Sequence, residues 1–501
     1  MPADPPRRYR FEQFAAIRRY QPRLAFSPDG AQIAYSANAS GQFNLWRQPT
    51  DGGEAVQLTR YDDHAVREIA WSPDGATILY TADREGDEFY QLRLIPAAGG
   101  APTALTDRSA VQHYLGWIDS WSPDGRVIVY AGNDRAPKDQ DVLVRELAAG
   151  APRRLFAGDA VYFPVAWSPD GRRLTVIDYV NNSDTNVFVV AVEDGAARSL
   201  TPHEGEVNNY AGPWAADGSG FYLLTDEGRE FIGLAFQDLR AGERRWLETP
   251  EWDVTDVDAS ADGRMLAWVV NEDGYSRLHV RDLTTGRLLD LPAMPEGVIY
   301  AMRVSPNGGK VGFLHNQPDH PSEIVILDLA AGSLLQLTNS FFGDIDPADL
   351  IRPELVRFPT HDGRRIPAWL YRPRGEGPFA VVLSIHGGPE GQELPTYAYS
   401  GLYQYWLNRG IGVLAPNVRG STGYGKSYQR LIRRDWGGGE LGDLDAAARY
   451  LRSLGWVDPD RIGVFGGSFG GFATLSCISR LPDGWAAAVD MFGPSNLVTL
   501  A

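Results

Sequence analysis

One four-residue pattern, Ser-Pro-Asp-Gly, constrains this chain more than any other feature. It stands at Ser27–Gly30 and returns at Ser72–Gly75, Ser122–Gly125 and Ser168–Gly171. Looser copies follow at Ala215–Gly218, Ser260–Gly263 and Ser305–Gly308. Counted from the first position of each copy, the intervals are 45, 50, 46, 47, 45 and 45 residues. Seven copies at a near-constant period mark a repeat architecture.

The physics of one repeat is readable. An apolar or aromatic residue precedes the turn (Phe26, Trp71, Trp121, Trp167), and an apolar run such as Ile78-Leu79-Tyr80 or Val127–Tyr130 follows it. Proline presets φ at the second position of a turn, and Asp and Gly accept the tight reversal. The pattern therefore predicts a hairpin turn between two short strands. A third strand follows, as at Val187–Val192, and then a closing segment such as Ala55–Thr59 or Leu334–Thr338. Four short strands every 45–50 residues predict a propeller blade. Seven turns predict seven blades over residues 21–345, after an N-terminal extension of residues 1–20.

Composition narrows the function classes. The net charge is −17, and only three lysines (Lys138, Lys310, Lys426) stand beside many arginines. A global acidic balance disfavours nucleic acid or an anionic membrane as partner. Cys477 is the single cysteine, so no intrachain disulfide can form. The first twenty residues lack the apolar core of a secretory signal, and the apolar run Phe379–Ile385 is far shorter than a membrane span. A cytoplasmic location is the expectation, and a homo-oligomer is compatible with it. The histidines of the repeat region, such as His64 and His113, show no metal-ligand spacing. The acidic loop Glu85-Gly86-Asp87-Glu88 reads first as exposed surface, and second as a receptor for a substrate amino group.

After residue 345 the grammar changes. Phe341–Arg352 reads as a linker, and Leu355–Phe358 and Arg365–Tyr371 as a strand pair. Apolar strands at Phe379–Ile385, Ile411–Ala415, Arg461–Phe465 and Trp485–Met491 then alternate with helical patterns at Leu402–Arg409, Leu441–Leu454 and Gly471–Ser479. This alternation predicts a parallel, doubly wound α/β sheet over residues 346–501.

The chemistry sits at strand ends. Gly466-Gly467-Ser468-Phe469-Gly470 is a Gly-x-Ser-x-Gly run between a strand and a helix, the setting of a nucleophile elbow. The sharp turn would lift the Ser468 hydroxyl clear of the sheet, with the helix N-terminus favouring developing negative charge. His386-Gly387-Gly388-Pro389 follows another strand end. In such folds one oxyanion donor comes from this loop and one from the residue after the nucleophile. The candidates are the N–H groups of Gly388 and Phe469. His386 precedes the nucleophile on that loop and reads as a residue that orients the site rather than as its general base.

These motifs, with Asn417–Gly425 and the seven-fold repeat before them, resemble the prolyl oligopeptidase family, most closely its acylaminoacyl-peptidase-like branch. The resemblance implies a seven-bladed β-propeller followed by an α/β-hydrolase. It implies a serine peptidase of short peptides that works through an acyl-enzyme on Ser468, with the propeller gating access. No metal or organic cofactor is implied. Asp443 and Asp445 look like structural residues at a helix start. In this fold the acid and the histidine of the triad follow the serine in the chain. Here no histidine follows His386, and 33 residues follow Ser468. Asp490 is a weak substitute for the acid. The expectation is therefore a partial hydrolase domain whose C-terminal part, triad Asp and triad His are missing, with the Trp485–Met491 strand left as an uncovered apolar edge. An α/β-hydrolase esterase and a non-catalytic peptide-binding propeller are the alternatives. Release of an acylated residue, release of a dipeptide and internal cleavage all remain open.

Overall fold

The structure, a computed structural model, describes residues 7–148 and 150–500. Seven small antiparallel sheets lie in chain order between Tyr20 and Gln336. The first comprises Tyr20–Phe26, Gln32–Ala37, Asn44–Pro49 and Val56–Gln57, and five of the others repeat its four-strand meander. The sixth differs: Asp253–Ala259, Met265–Glu272 and Tyr275–Asp282 pair, but no fourth strand forms. The expectation of four strands per repeat fails here. Pro292 and Pro295 remove donors from the segment that would supply the fourth strand, which is reduced to the Arg281–Leu288 bridge.

The repeated turn has one shared geometry. Ser27 Oγ donates to Asp29 Oδ1 at 2.6 Å, while the N–H groups of Ala31 and Gln32 donate to Asp29 Oδ1 (3.0 Å) and Ser27 Oγ (2.9 Å). The same serine–carboxylate bond recurs at Ser72–Asp74, Ser122–Asp124, Ser168–Asp170 and Ser260–Asp262. Accepting these donors holds the Asp29 carboxyl below its usual range. The ring of blades closes where the seventh meets the first. Leu24, Phe26, Ile33 and Tyr35 share one apolar cluster with Leu314, Ile324 and Ile326, and Lys310 Nζ donates to Thr50 Oγ1 at 2.7 Å.

The second sheet has six strands in the order Glu354–Pro359, Arg365–Tyr371, Ile411–Pro416, Phe379–Ile385, Val457–Gly467, Ala487–Met491. The first pair is an antiparallel hairpin, and the last four strands run parallel to one another. Alternate side chains feed opposite faces. Val413 and Ala415 pack toward the Leu402–Asn408 helix, whereas Leu414 packs toward the Gly439–Ser453 and Phe469–Arg480 helices. Helices thus cover both faces, as the alternation of strands and helices predicts. Ala487–Met491 forms one edge of the sheet and is largely exposed, with Val489 at 54% and the following Phe492 at 81%.

Two features position the site. Residues 7–19, expected as an extension, are built into the hydrolase unit. The Tyr9 N–H donates to Asn408 Oδ1 (3.0 Å), Tyr397 Oη donates to the Phe14 carbonyl (3.0 Å), and Tyr9 and Phe14 share a buried cluster with Ile345 and Leu350. The hydrolase unit also docks on one side of the propeller. Gln429 Nε2 donates to Ser183 Oγ (2.8 Å), Lys426 Nζ to the Asp226 carbonyl (2.8 Å), Asn271 Nδ2 to Gln392 Oε1 (2.6 Å) and Gln404 Nε2 to the Pro318 carbonyl (2.8 Å). These contacts use the loops of blades four to seven. Among the described residues, blades one to three make no hydrogen bond or ion pair to the hydrolase unit.

Candidate active site

The Val457–Gly467 strand ends at Ser468, whose backbone sits at φ 55°, ψ −123°, and the Phe469–Arg480 helix starts at the next residue. A positive φ at a side-chain-bearing residue costs on the order of 1–3 kcal/mol and persists only where its surroundings enforce it. The enforcement is visible. The Ser468 N–H donates to the Met491 carbonyl at 3.1 Å, and the Phe472 N–H donates to the Ser468 carbonyl at 3.0 Å. A side chain at Gly470 would run into the Ile385 carbonyl, so helix and neighbouring strand can approach only over glycine. The Phe469 ring is fully buried and meets the Trp436 ring edge-on, with 4.9 Å between centroids. The helix starts two residues before the predicted Gly471 because the elbow itself supplies its first turn.

The His386–Pro389 loop stands directly against this elbow. A Cβ built on Gly387 would lie 3.5 Å from Ser468 Cβ and 4.0 Å from its Oγ. Gly388 has φ +123°, outside the range open to other residues. Among the described residues, neither the Gly388 N–H nor the Phe469 N–H donates to a protein acceptor. Two uncommitted backbone donors thus lie on the two segments that meet at Ser468 and Gly387.

His386 turns away from that hydroxyl. Its Nδ1 lies 2.8 Å from the Gly387 carbonyl. Its Nε2 lies 2.9 Å from Ser421 Oγ, which itself donates to the Val418 carbonyl at 2.7 Å. Burial lowers the His386 pKa, keeping the ring neutral. Among the described residues no imidazole or carboxylate hydrogen-bonds to Ser468. Asp490 Oδ1 accepts from the Gly493 N–H at 2.9 Å and closes a local turn.

The loops behind the site rest on buried polar pairs. Arg419 grips Asp443 through Nε–Oδ2 at 2.9 Å and Nη2–Oδ1 at 2.7 Å, and Thr360 Oγ1 donates to the same carboxylate at 2.8 Å. Asp443 thereby holds two loops together inside the core, while exposed Asp445 pairs with Arg449 one turn on. Asn417 Oδ1 accepts from the Glu393 N–H (2.7 Å), and Tyr403 Oη lies between Ser384 Oγ (2.6 Å) and Glu393 Oε1 (3.1 Å). Burial raises the Glu393 carboxyl to about 7. Ser421, Glu393 and Trp436 are the supporting residues that reasoning from sequence passes over. Ser421 and Asn417 do lie in the Asn417–Gly425 run, but nothing local in it shows that Ser421 meets His386. The Glu85–Glu88 loop is exposed, and Asp87 is spent on the N–H groups of Arg84 and Phe89.

Comparisons with known proteins bear on the fold and on residues 397–500. Residues 397–500 match the profile of the Prolyl oligopeptidase family. Dipeptidyl aminopeptidase BIII of Pseudoxanthomonas mexicana is 29% identical over 310 residues, covering 60% of this chain and 45% of the relative. The uncharacterized peptidase YuxL of Bacillus subtilis is 31% identical over 218 residues, covering 41% of this chain and 33% of the relative. The matched regions thus span less than half of either relative. Among solved structures, a puromycin-hydrolyzing peptidase of Mycobacterium tuberculosis superposes with a TM-score of 0.82 at 24% identity, over 99% of this chain and 81% of that one. At that identity the likeness establishes the shared fold. The segment that carries the elbow at Ser468 thus matches the prolyl oligopeptidase family, and the chain as a whole shares the fold of the puromycin-hydrolyzing peptidase.

Proposed function

We propose that the site is that of a serine peptidase acting on short peptides, with Ser468 as nucleophile. The observation that carries this reading is the strained Ser468 backbone standing against Gly387, with the free N–H groups of Gly388 and Phe469 on the same two segments. In this reading the Ser468 hydroxyl attacks the scissile carbonyl. The two N–H groups stabilise the oxyanion, a contribution of roughly 3–4 kcal/mol for a single well-placed donor. The amine leaves, and water then releases the acyl group from Ser468. His386 holds the oxyanion loop through Ser421 and takes no proton from Ser468. The proton acceptor for Ser468 is not among the residues described.

The propeller supplies the size limit. Its loops from blades four to seven are fastened to the hydrolase unit, so access is left on the side of blades one to three. A folded protein would not pass there, whereas a short flexible peptide would. The dipeptidyl aminopeptidase among the relatives supports a short peptide as substrate. An esterase would need no such gate. No helix of the described residues is long and apolar enough to cross a membrane.

A fluorophosphonate probe tests the assignment on the protein produced from its own gene. Covalent labelling at Ser468, abolished by Ser468→Ala, is expected. Labelling that survives Ser468→Ala, or none in a folded sample, would overturn it. Comparison of peptide amides with small esters then separates peptidase from esterase.

A further inference from the structure

At the opposite end of the hydrolase sheet the structure contains a second, electropositive cleft of about 300 Å³. Four arginines line it: Arg8, Arg374, Arg409 and Arg461. One carboxylate, Asp349, faces them. The volume is at the lower end of ligand cavities, which run from roughly 300 to 1,000 Å³. Its place in the fold separates it from Ser468. Phe379 and Arg461 belong to the strands that end at His386 and Ser468, and Phe379 lines the cleft at its strand's first residue. A strand of seven residues spans roughly 20 Å, so the cleft and the serine lie on opposite ends of the sheet.

The charge balance in this cleft runs against that of the whole chain, which carries −17. Two of the four guanidiniums are held in position. Arg409 Nη2 donates to the Tyr9 carbonyl at 2.7 Å, and its guanidinium lies 5.0 Å from the Tyr405 ring centre. Arg374 donates to the Ala348 carbonyl and stands 3.7 Å from Asp349 Oδ1. Asp349 is itself engaged, because Tyr9 Oη donates to its Oδ2 at 2.6 Å. Among the described residues, Arg8 and Arg461 make neither a hydrogen bond nor an ion pair. Four like charges around one cavity repel one another unless an anion lies between them. Fixed guanidinium forks match the oxygens of phosphate in paired hydrogen bonds.

We propose that this cleft is a binding site for a compact phosphate-class anion carrying more than one negative charge. The bound anion would join Arg8 of the N-terminal segment to Arg374, Arg409 and Arg461 of the hydrolase unit. It would thereby fasten residues 7–14, which lie between the linker and the Leu402–Asn408 helix. The site is independent of the peptidase reading, since none of its residues lines the elbow.

Calorimetric titration of the whole protein with inorganic phosphate, inorganic pyrophosphate and ADP tests it, with sodium chloride at matched ionic strength as control. Pyrophosphate is expected to bind and to raise the unfolding midpoint. Arg461→Gln and Arg374→Gln are each expected to weaken it about tenfold, the loss of one charge-assisted bond, while both variants fold normally without anion. Ser468→Ala is expected to bind as the parent does. ADP binding tighter than pyrophosphate would identify a nucleotide as the source, and equal or weaker binding a free phosphate. No binding at millimolar pyrophosphate, an effect that sodium chloride reproduces, or binding indifferent to both arginine substitutions would overturn the proposal.

Discussion

His386 Nε2 and Ser421 Oγ lie 2.9 Å apart in a hydrogen bond, and through it the loop facing Ser468 is fastened to a second loop 35 positions away in the chain. The ring is buried and neutral, and its other nitrogen is committed to the Gly387 carbonyl. If this pair positions the Gly387–Gly388 backbone, His386→Ala and Ser421→Ala should each slow fluorophosphonate labelling of Ser468 by up to about 10²-fold, the effect of a misplacement near 1 Å. The double variant should lose little more than either single one, because both cut the same connection. Additive losses, or labelling unchanged in His386→Ala, would show that the loop holds its place without them.

Gly470→Ala tests the packing of the elbow by its sign. Within a helix, Gly→Ala normally gains about 0.5–1 kcal/mol. Here the new methyl group would meet the Ile385 carbonyl. A loss of about 1–3 kcal/mol is expected, the usual result of overpacking. Gly455→Ala is the control, since nothing lies within 4 Å of its added Cβ. Urea unfolding of the two variants decides the matter.

Glu393 makes stability depend on pH in a particular direction. Burial raises its carboxyl from 4.5 to about 7, so the folded protein keeps a proton that the unfolded chain releases between those values. The resulting stabilisation is complete below pH 4.5 and is lost as pH rises through 7. Glu393→Gln keeps the shape and cannot ionise. Parent and variant should match near pH 4.5, and by pH 8 the variant should be more stable by up to ~3 kcal/mol. A difference that stays constant over this range would contradict the assignment.

The fifth propeller turn offers a gain. Ala215 occupies the position where Ser27, Ser72, Ser122 and Ser168 each bond the turn carboxylate. Ala215→Ser should restore that bond to Asp217 and add about 0.5–1.5 kcal/mol. Ser72→Ala should lose a similar amount. The denaturant midpoint should shift in each case with an unchanged m-value.

The sequence by itself determined the local grammar of this protein. A Ser-Pro-Asp-Gly turn is fixed by contacts within five residues, so its seven copies could be counted and the propeller inferred from them. The strand–Gly-x-Ser-x-Gly–helix order likewise points to an elbow at Ser468, because the chain must reverse there within a few residues. What only the tertiary structure decided depends on groups distant in the chain. The sixth blade lacks its outer strand, since pairing is settled by neighbours as well as by propensity. The segment 7–19, polar and proline-flanked in sequence, is ordered by Asn408 and Tyr397, some 400 positions away. The orientation of His386 is set by Ser421, and the arginine cleft is assembled from four separate segments. Hydrogen bonds and charges of this kind act through space over a few ångströms, and their partners come together only when the chain folds.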